Sequence, residues 1–204
     1  MSGGLPETEQ RRRRRRSPAV AEREIIDAAE ALLRERPFRE LTVDEVMRRT
    51  DLSRPSFYVY FRDRHHLVLK VVEHLGGELF TMSDRWVRGT GEPLVLAREA
   101  LEGIVAVFAE HGPVMRALAD AAADDKDVEA AYSAVIQGFI DIVSGHVATE
   151  MEAGRILPLN PVPTATALVW MTERYLMLSL GREPLTPADV VFDALWTDWQ
   201  RRPL

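Results

Sequence analysis

Apolar residues recur every third or fourth position along most of this 204-residue chain, the spacing that gathers them on one side of an α-helix. No period-two run is long enough to build a strand, and no segment repeats. The pattern predicts an all-α protein of about nine helices. Ser17-Pro18 reads as an N-cap and first helical residue, opening a helix over 18–36 with Ile25, Ile26, Ala29, Leu32 and Leu33 on one stripe. Pro37 stops it. Thr42 and Glu45 form a capping box, with Leu41 and Val46 at the staple positions. The short helix that follows ends near Thr50-Asp51. Ser53 caps the next one, Pro55 sits in its first turn, and Leu52 and Phe57 take the staple positions. Two short capped helices this close make a helix-turn-helix. Asp63 caps a long fourth helix whose apolar set starts Leu67, Leu69, Val71, Val72 and Leu75, with Gly76-Gly77 as a kink or hinge. Further helices are predicted over 93–111, 113–122, 127–153, 161–180 and 187–201, separated by Gly and Pro signals that include Gly112-Pro113.

The stretch "RPSFYVYF", residues 54–61, has more to say than its helicity. Phe57 and Phe61 are one turn apart and share a face. With them inward, Pro55 and Val59 point away from the core, Ser56 and Tyr58 flank that outer face, and Arg54 and Tyr60 stand at its ends. The combination suits a DNA major groove. An arginine pairs with guanine O6 and N7, apolar surface meets a thymine methyl, and hydroxyls reach phosphates. A plain αα-hairpin, with both tyrosines as amphipathic residues at the core edge, carries the same spacing.

Charge distribution favours the first of these. The net charge is −6, yet residues 1–70 hold 16 Lys+Arg against 12 Asp+Glu (+4) and residues 71–204 hold 10 against 20 (−10). Such asymmetry fits a nucleic-acid-facing part joined to something else. The chain divides into an Arg-rich arm over 1–16, disordered by self-repulsion, a helix-turn-helix domain over 17–70 and a helical remainder over 71–204. Arg11 to Arg16 acts either as an arm on DNA or as a solvated tail. There is no cysteine, which removes disulfides and thiolate metal sites. No apolar run approaches ~20 residues, so no membrane span is expected. No secretory signal is visible either, and the expected location is the cytoplasm. Enzyme chemistry lacks a carrier: no Glu-x-x-His pair, phosphate loop or Ser/His/Asp signature is present, and no metal or cofactor is expected. His146 and Glu150 share a helix face, but one pair makes no site. A helical partner-binding module without DNA binding is the remaining alternative.

The segment "FRELTVDEVMRRTDLSRPSFYVYFRDRHHLV" resembles the N-terminal domain of TetR-type repressors, through Thr42, Val43, Val46, Leu52, Ser53, Arg54, Ser56, Phe57, Tyr58, Tyr60, Phe61, Arg64 and Leu67. Two positions depart from that family's pattern. Asp51 stands for the turn glycine, with a left-handed backbone expected there, and His65-His66 stand for acidic residues. The segment "ATALVWMTERYLMLSLGREPLTPADVVFDALWTDW" resembles the last two helices of the EthR-like subgroup. The resemblance implies a homodimer through those two helices, bound to a pseudo-palindromic duplex operator and released by a small apolar effector. On that basis Arg54, Pro55, Ser56 and Val59 are assigned to base edges. Tyr58, Tyr60 and Arg64 are assigned to phosphates, with Thr42 at a helix N-terminus. Candidate effector-lining residues are Trp86, Phe108, Met115, Phe139, Val143, Trp170, Met171, Thr172, Tyr175 and Trp199. Glu173 and Arg174 are a polar element of the pocket wall or the dimer seam, or a surface ion pair. The subgroup has amides at the positions of Val169 and Thr172, which points to a less polar or differently oriented ligand here.

Overall fold

The computed structural model describes residues 17–88 and 91–201. The Arg11–Arg16 arm lies outside the described residues. Among them are eight α-helices and no strand: α1 (Pro18–Glu35), α2 (Val43–Arg48), α3 (Arg54–Tyr60), α4 (Arg64–Arg88), α5 (Pro93–Ala122), α6 (Lys126–Glu152), α7 (Pro161–Leu180) and α8 (Ala188–Arg201). A 3-10 turn, Phe38–Glu40, links α1 to α2.

Local chemistry explains most of the boundaries. The Val20 amide donates to the Ser17 hydroxyl at 3.3 Å, and the Asp125 carboxylate accepts from the Asp127 and Val128 amides at the start of α6. The Asp63 carboxylate accepts from the His66 amide at 2.8 Å. Those backbone donors hold the Asp63 carboxyl below its ordinary range. Gly154, at φ +68°, ends α6 in the left-handed region that only glycine enters without strain.

Two expectations need correction. Gly112-Pro113 does not separate two helices: α5 runs through it from Pro93 to Ala122. The cause is tertiary. A Cβ on residue 112 would lie 2.0 Å from the Leu180 carbonyl oxygen, so the glycine admits the end of α7 against α5. α4 runs on through Gly76-Gly77, where Gly76 has a packing role, since a Cβ there would meet Val135 Cγ2 at 2.9 Å. Asp51 is not left-handed either, because no described non-glycine residue has positive φ. Its amide donates to Glu24 Oε1 at 2.8 Å instead, which ties the turn to α1.

One apolar core runs from Ile25 in α1 through Phe57, Phe61, Leu67 and Val71 to Phe108, Leu176 and Leu195. The helix-turn-helix and the C-terminal bundle therefore share packing across α4, and position 70 falls inside that helix. A second cluster, including Ile136, Val147, Ala165 and Leu168, joins α6 to α7.

Candidate nucleic-acid interface and internal cavity

The α2–α3 unit is held by short-range bonds. Thr42 Oγ1 accepts from the Glu45 amide at 3.3 Å and donates to Glu45 Oε2 at 2.8 Å. Arg36 Nη1 donates to Glu45 Oε1 at 2.5 Å. The Thr42 hydroxyl, and then the Arg36 charge, hold the Glu45 carboxyl below its usual range. In the turn, Thr50 Oγ1 donates to the Met47 carbonyl and accepts from the Leu52 amide. Ser53 occupies the N-cap position but caps nothing with its side chain, which bonds to Ser56 Oγ at 2.9 Å.

On α3, Phe57 and Phe61 are buried and their rings lie 5.3 Å apart. Opposite them Pro55 is exposed, Val59 is 74% exposed and Tyr58 51%. Ser56 is half-buried, and Tyr60 packs against the core. The outer ridge predicted from the spacing is therefore present and accessible. Arg54 lies on it, but not idle. Its Nε donates to Asp44 Oδ1 at 2.5 Å, and its guanidinium sits 5.6 Å from the Tyr58 ring centre. Arg64 is engaged as well. Its Nη1 donates to the Leu41 carbonyl at 3.0 Å and the Arg39 carbonyl at 3.3 Å, and the guanidinium stacks 5.1 Å over Phe38. It clamps the turn before α2 onto α4. His65 does similar work, bonding Asp125 at the start of α6.

Between α4, α5, α6, α7 and α8 lies a cavity of about 100 Å³. Of the expected lining residues, Trp86, Phe108, Met115, Phe139, Val143, Thr172 and Trp199 are on its wall. Trp170, Met171 and Tyr175 are not. Trp170 is 44% exposed, Met171 packs on the second cluster and Tyr175 on the main core. Helical spacing gave α7 apolar residues on several faces and did not say which face turns inward. Glu173 is on the wall and buried, whereas its neighbour Arg174 is exposed. Tyr132, which sequence reasoning missed, donates its hydroxyl to Glu173 Oε1 at 2.5 Å. Burial first, and the Glu173 bond second, push the Tyr132 phenol far up. His146 rests against Trp86 with ring centres 4.6 Å apart. Glu150 turns away from it to Arg155, at 2.5 and 2.6 Å.

The comparisons with known proteins settle the lineage. The TetR-family bacterial regulatory protein domain matches residues 25–71, and the C-terminal domain of the transcriptional regulator EthR matches residues 97–201. The HTH-type transcriptional regulator EthR of Mycobacterium tuberculosis is 31% identical over 199 residues, covering 93% of this chain and 90% of its own length. The chain belongs to the TetR family. The EthR of Mycolicibacterium smegmatis is 28% identical over 177 residues, covering 85% and 82%. Two solved structures share the TetR-family fold. A TetR-like transcriptional regulator from Rhodococcus sp. RHA1 superposes with TM-score 0.70 at 19% identity, over 92% of this chain and 97% of that one. The regulator FadR from Bacillus subtilis, in complex with stearoyl-CoA, gives TM-score 0.73 at 13% identity, over 86% and 95%. A TetR-family member of this kind is a DNA-binding transcriptional regulator and not an enzyme. Among its described residues no helix is long and apolar enough to cross a membrane. The outer face of α7 and α8 in this TetR-family chain shows Val162, Trp170, Leu178 and Val190 to solvent, each at least 44% exposed.

Proposed function

We propose that this regulator represses transcription as a homodimer on a pseudo-palindromic operator, and that a small, mainly apolar effector in the internal cavity releases it. The observation that carries the DNA assignment is the α3 ridge. Pro55 and Val59 are free for a groove while Phe57 and Phe61 anchor the helix from behind. Arg54, Pro55, Ser56 and Val59 read base edges, Tyr58 and Tyr60 reach phosphates, and Thr42 sits at the N-terminus of α2. Arg64 supports the turn before α2 through Nη1 and keeps its remaining donors for a phosphate. The exposed apolar face of α7 and α8 supports pairing with a second copy, which would set the two α3 helices one groove period apart.

Release follows from the course of α4. Val72, Leu75, Leu79, Ser83 and Trp86 give it one wall of the cavity. Its first residue, Arg64, holds the carbonyls that precede α2. An effector that shifts α4 therefore shifts the reading helix. A ligand with higher affinity for the mis-spaced state lowers operator affinity by the coupling free energy, typically ~1–3 kcal/mol. Selection of bound sequences from a random duplex pool by the full chain tests this. The expected product is an inverted repeat whose binding weakens steeply with salt. No enrichment, with no salt-sensitive binding to any duplex, would overturn it.

A further inference from the structure

The cavity wall is apolar except at a few atoms, and several of those are left without partners. Glu173 Oε1 accepts from Tyr132, but Glu173 Oε2 is buried and bonded to nothing. Beside it, Thr172 Oγ1 is buried and unbonded. The Trp86 and Trp199 indole N–H groups are also buried without acceptors. Such atoms cost free energy unless something completes them. All four residues line the same space, so one bound molecule, met by small turns of these buried side chains, can satisfy several of them.

The charge on that wall has one sign. Glu173 is its acidic residue, and no Lys, Arg or His is among the described lining residues. Arg174 and Arg116 act on the Tyr132 phenol from nearby, yet neither lines the cavity. A buried carboxylate with one hydroxyl donor and no counter-charge is poorly compensated. A neutral ligand donor would return one hydrogen bond. A cation returns the bond and the Coulomb attraction, and the Tyr132 ring beside Glu173 adds a face that attracts cations. A carboxylate or phosphate ligand would instead face Glu173 with no opposite charge.

We infer that the effector is a hydrophobic amine whose protonated nitrogen donates to Glu173 Oε2, an inference that rests on the effector reading of this cavity. The polar ends of the site are separated. Tyr132, bonded to Glu173, and Val143 both line the cavity from α6. They stand eleven residues apart, or about 16 Å along the helix axis at 1.5 Å per residue. Trp86, packed on His146, marks the Val143 end. The molecule that fits has an ammonium head near Tyr132, an elongated apolar body and a neutral acceptor near the indoles.

Three probes with one apolar body test it: 4-phenylbutylamine, 4-phenylbutanol and 4-phenylbutanoate, titrated into the full chain by calorimetry. The amine is expected to bind at least about tenfold tighter than the alcohol, as a charge-assisted bond requires, and the acid more weakly still. In Glu173→Gln the amine-to-alcohol ratio should fall to about one. Tyr132→Phe, which frees the second carboxylate oxygen and keeps the charge, should retain a ratio of at least about ten. If Glu173→Gln loses its cooperative melt, the wild-type series and Tyr132→Phe carry the test. Equal or tighter binding of the alcohol or acid overturns the inference, as does no binding of the amine, or an unchanged ratio in folded Glu173→Gln. Operator release is read separately. Amine binding that leaves DNA bound sinks the effector reading alone, and release by the alcohol or acid sinks the amine class alone.

Discussion

The reading face and the cavity treat polar groups in opposite ways. Around α2 and α3 many charges are exposed or half-exposed and already matched: Arg54 with Asp44, Arg36 with Glu45, Arg49 with Glu35, Arg64 with two carbonyls. In the cavity the polar atoms are buried and unmatched: Glu173 Oε2, Thr172 Oγ1 and two indole N–H groups. Water explains the difference. An exposed ion pair gains little and exchanges partners readily, so a surface can be saturated and still bind. A buried orphan has no solvent to fall back on. The first region is built to swap contacts, the second to wait for one.

The largest effect tests whether the two regions stand on common ground. Phe57 is fully buried at the root of the reading face, in a core continuous with the cavity helices. Phe57→Ala should cost about 3–5 kcal/mol. Urea unfolding followed by circular dichroism and by Trp fluorescence should show one shared transition moved to lower urea. Two separated transitions would mean that the face and the cavity fold independently. A smaller effect separates the two arginines. Arg54→Ala should relax preference at one base pair per half-site by about tenfold to a hundredfold, measured as matched against mismatched operator affinity. Arg64→Ala should lower the melting temperature and weaken all sequences alike, because it releases the Leu41 and Arg39 carbonyls. Identical behaviour of the two mutants would erase the distinction between reader and clamp.

The smallest effect belongs to the cavity side. Burial against Trp86 holds the His146 imidazole below its ordinary value of 6.5, with the Glu150 charge pulling the other way. The unfolded chain then binds more protons than the folded one as pH falls below that value. Stability should be complete above it and decline as pH drops through it toward the depressed native value. Glu30, raised chiefly by burial, contributes with the opposite sign. The His146 share is therefore the difference between wild type and His146→Phe in urea midpoints across the interval. A flat difference would place the histidine in water in both states.

The parts of the fold set by local chemistry were legible. Caps at Ser17, Thr42 and Asp63, and the glycine after α6, are decided within a few residues of themselves. The outward ridge of α3 was legible too, because two phenylalanines one turn apart leave a short helix one way to face. What failed depended on distant contacts. Gly112-Pro113 looks like a stop, and only the Leu180 carbonyl gives a reason for α5 to pass through it. The clamp that Arg64 places on the Leu41 and Arg39 carbonyls was not legible, because those carbonyls lie more than twenty residues back. Trp170 and Tyr132 show the same limit in the cavity. A helix apolar on several sides does not declare its inner face, and a tyrosine among alanines gives no sign of a carboxylate that sequence places 41 residues away.

The contact between Arg54 and Asp44 braces the ridge from behind. The acid is bonded to Nε alone, and a guanidinium carries further donors on its Nη side. On the proposed assignment a guanine edge, with two acceptors side by side, approaches from that side while the acid stays in place. Selectivity then draws on a side chain oriented before the duplex arrives.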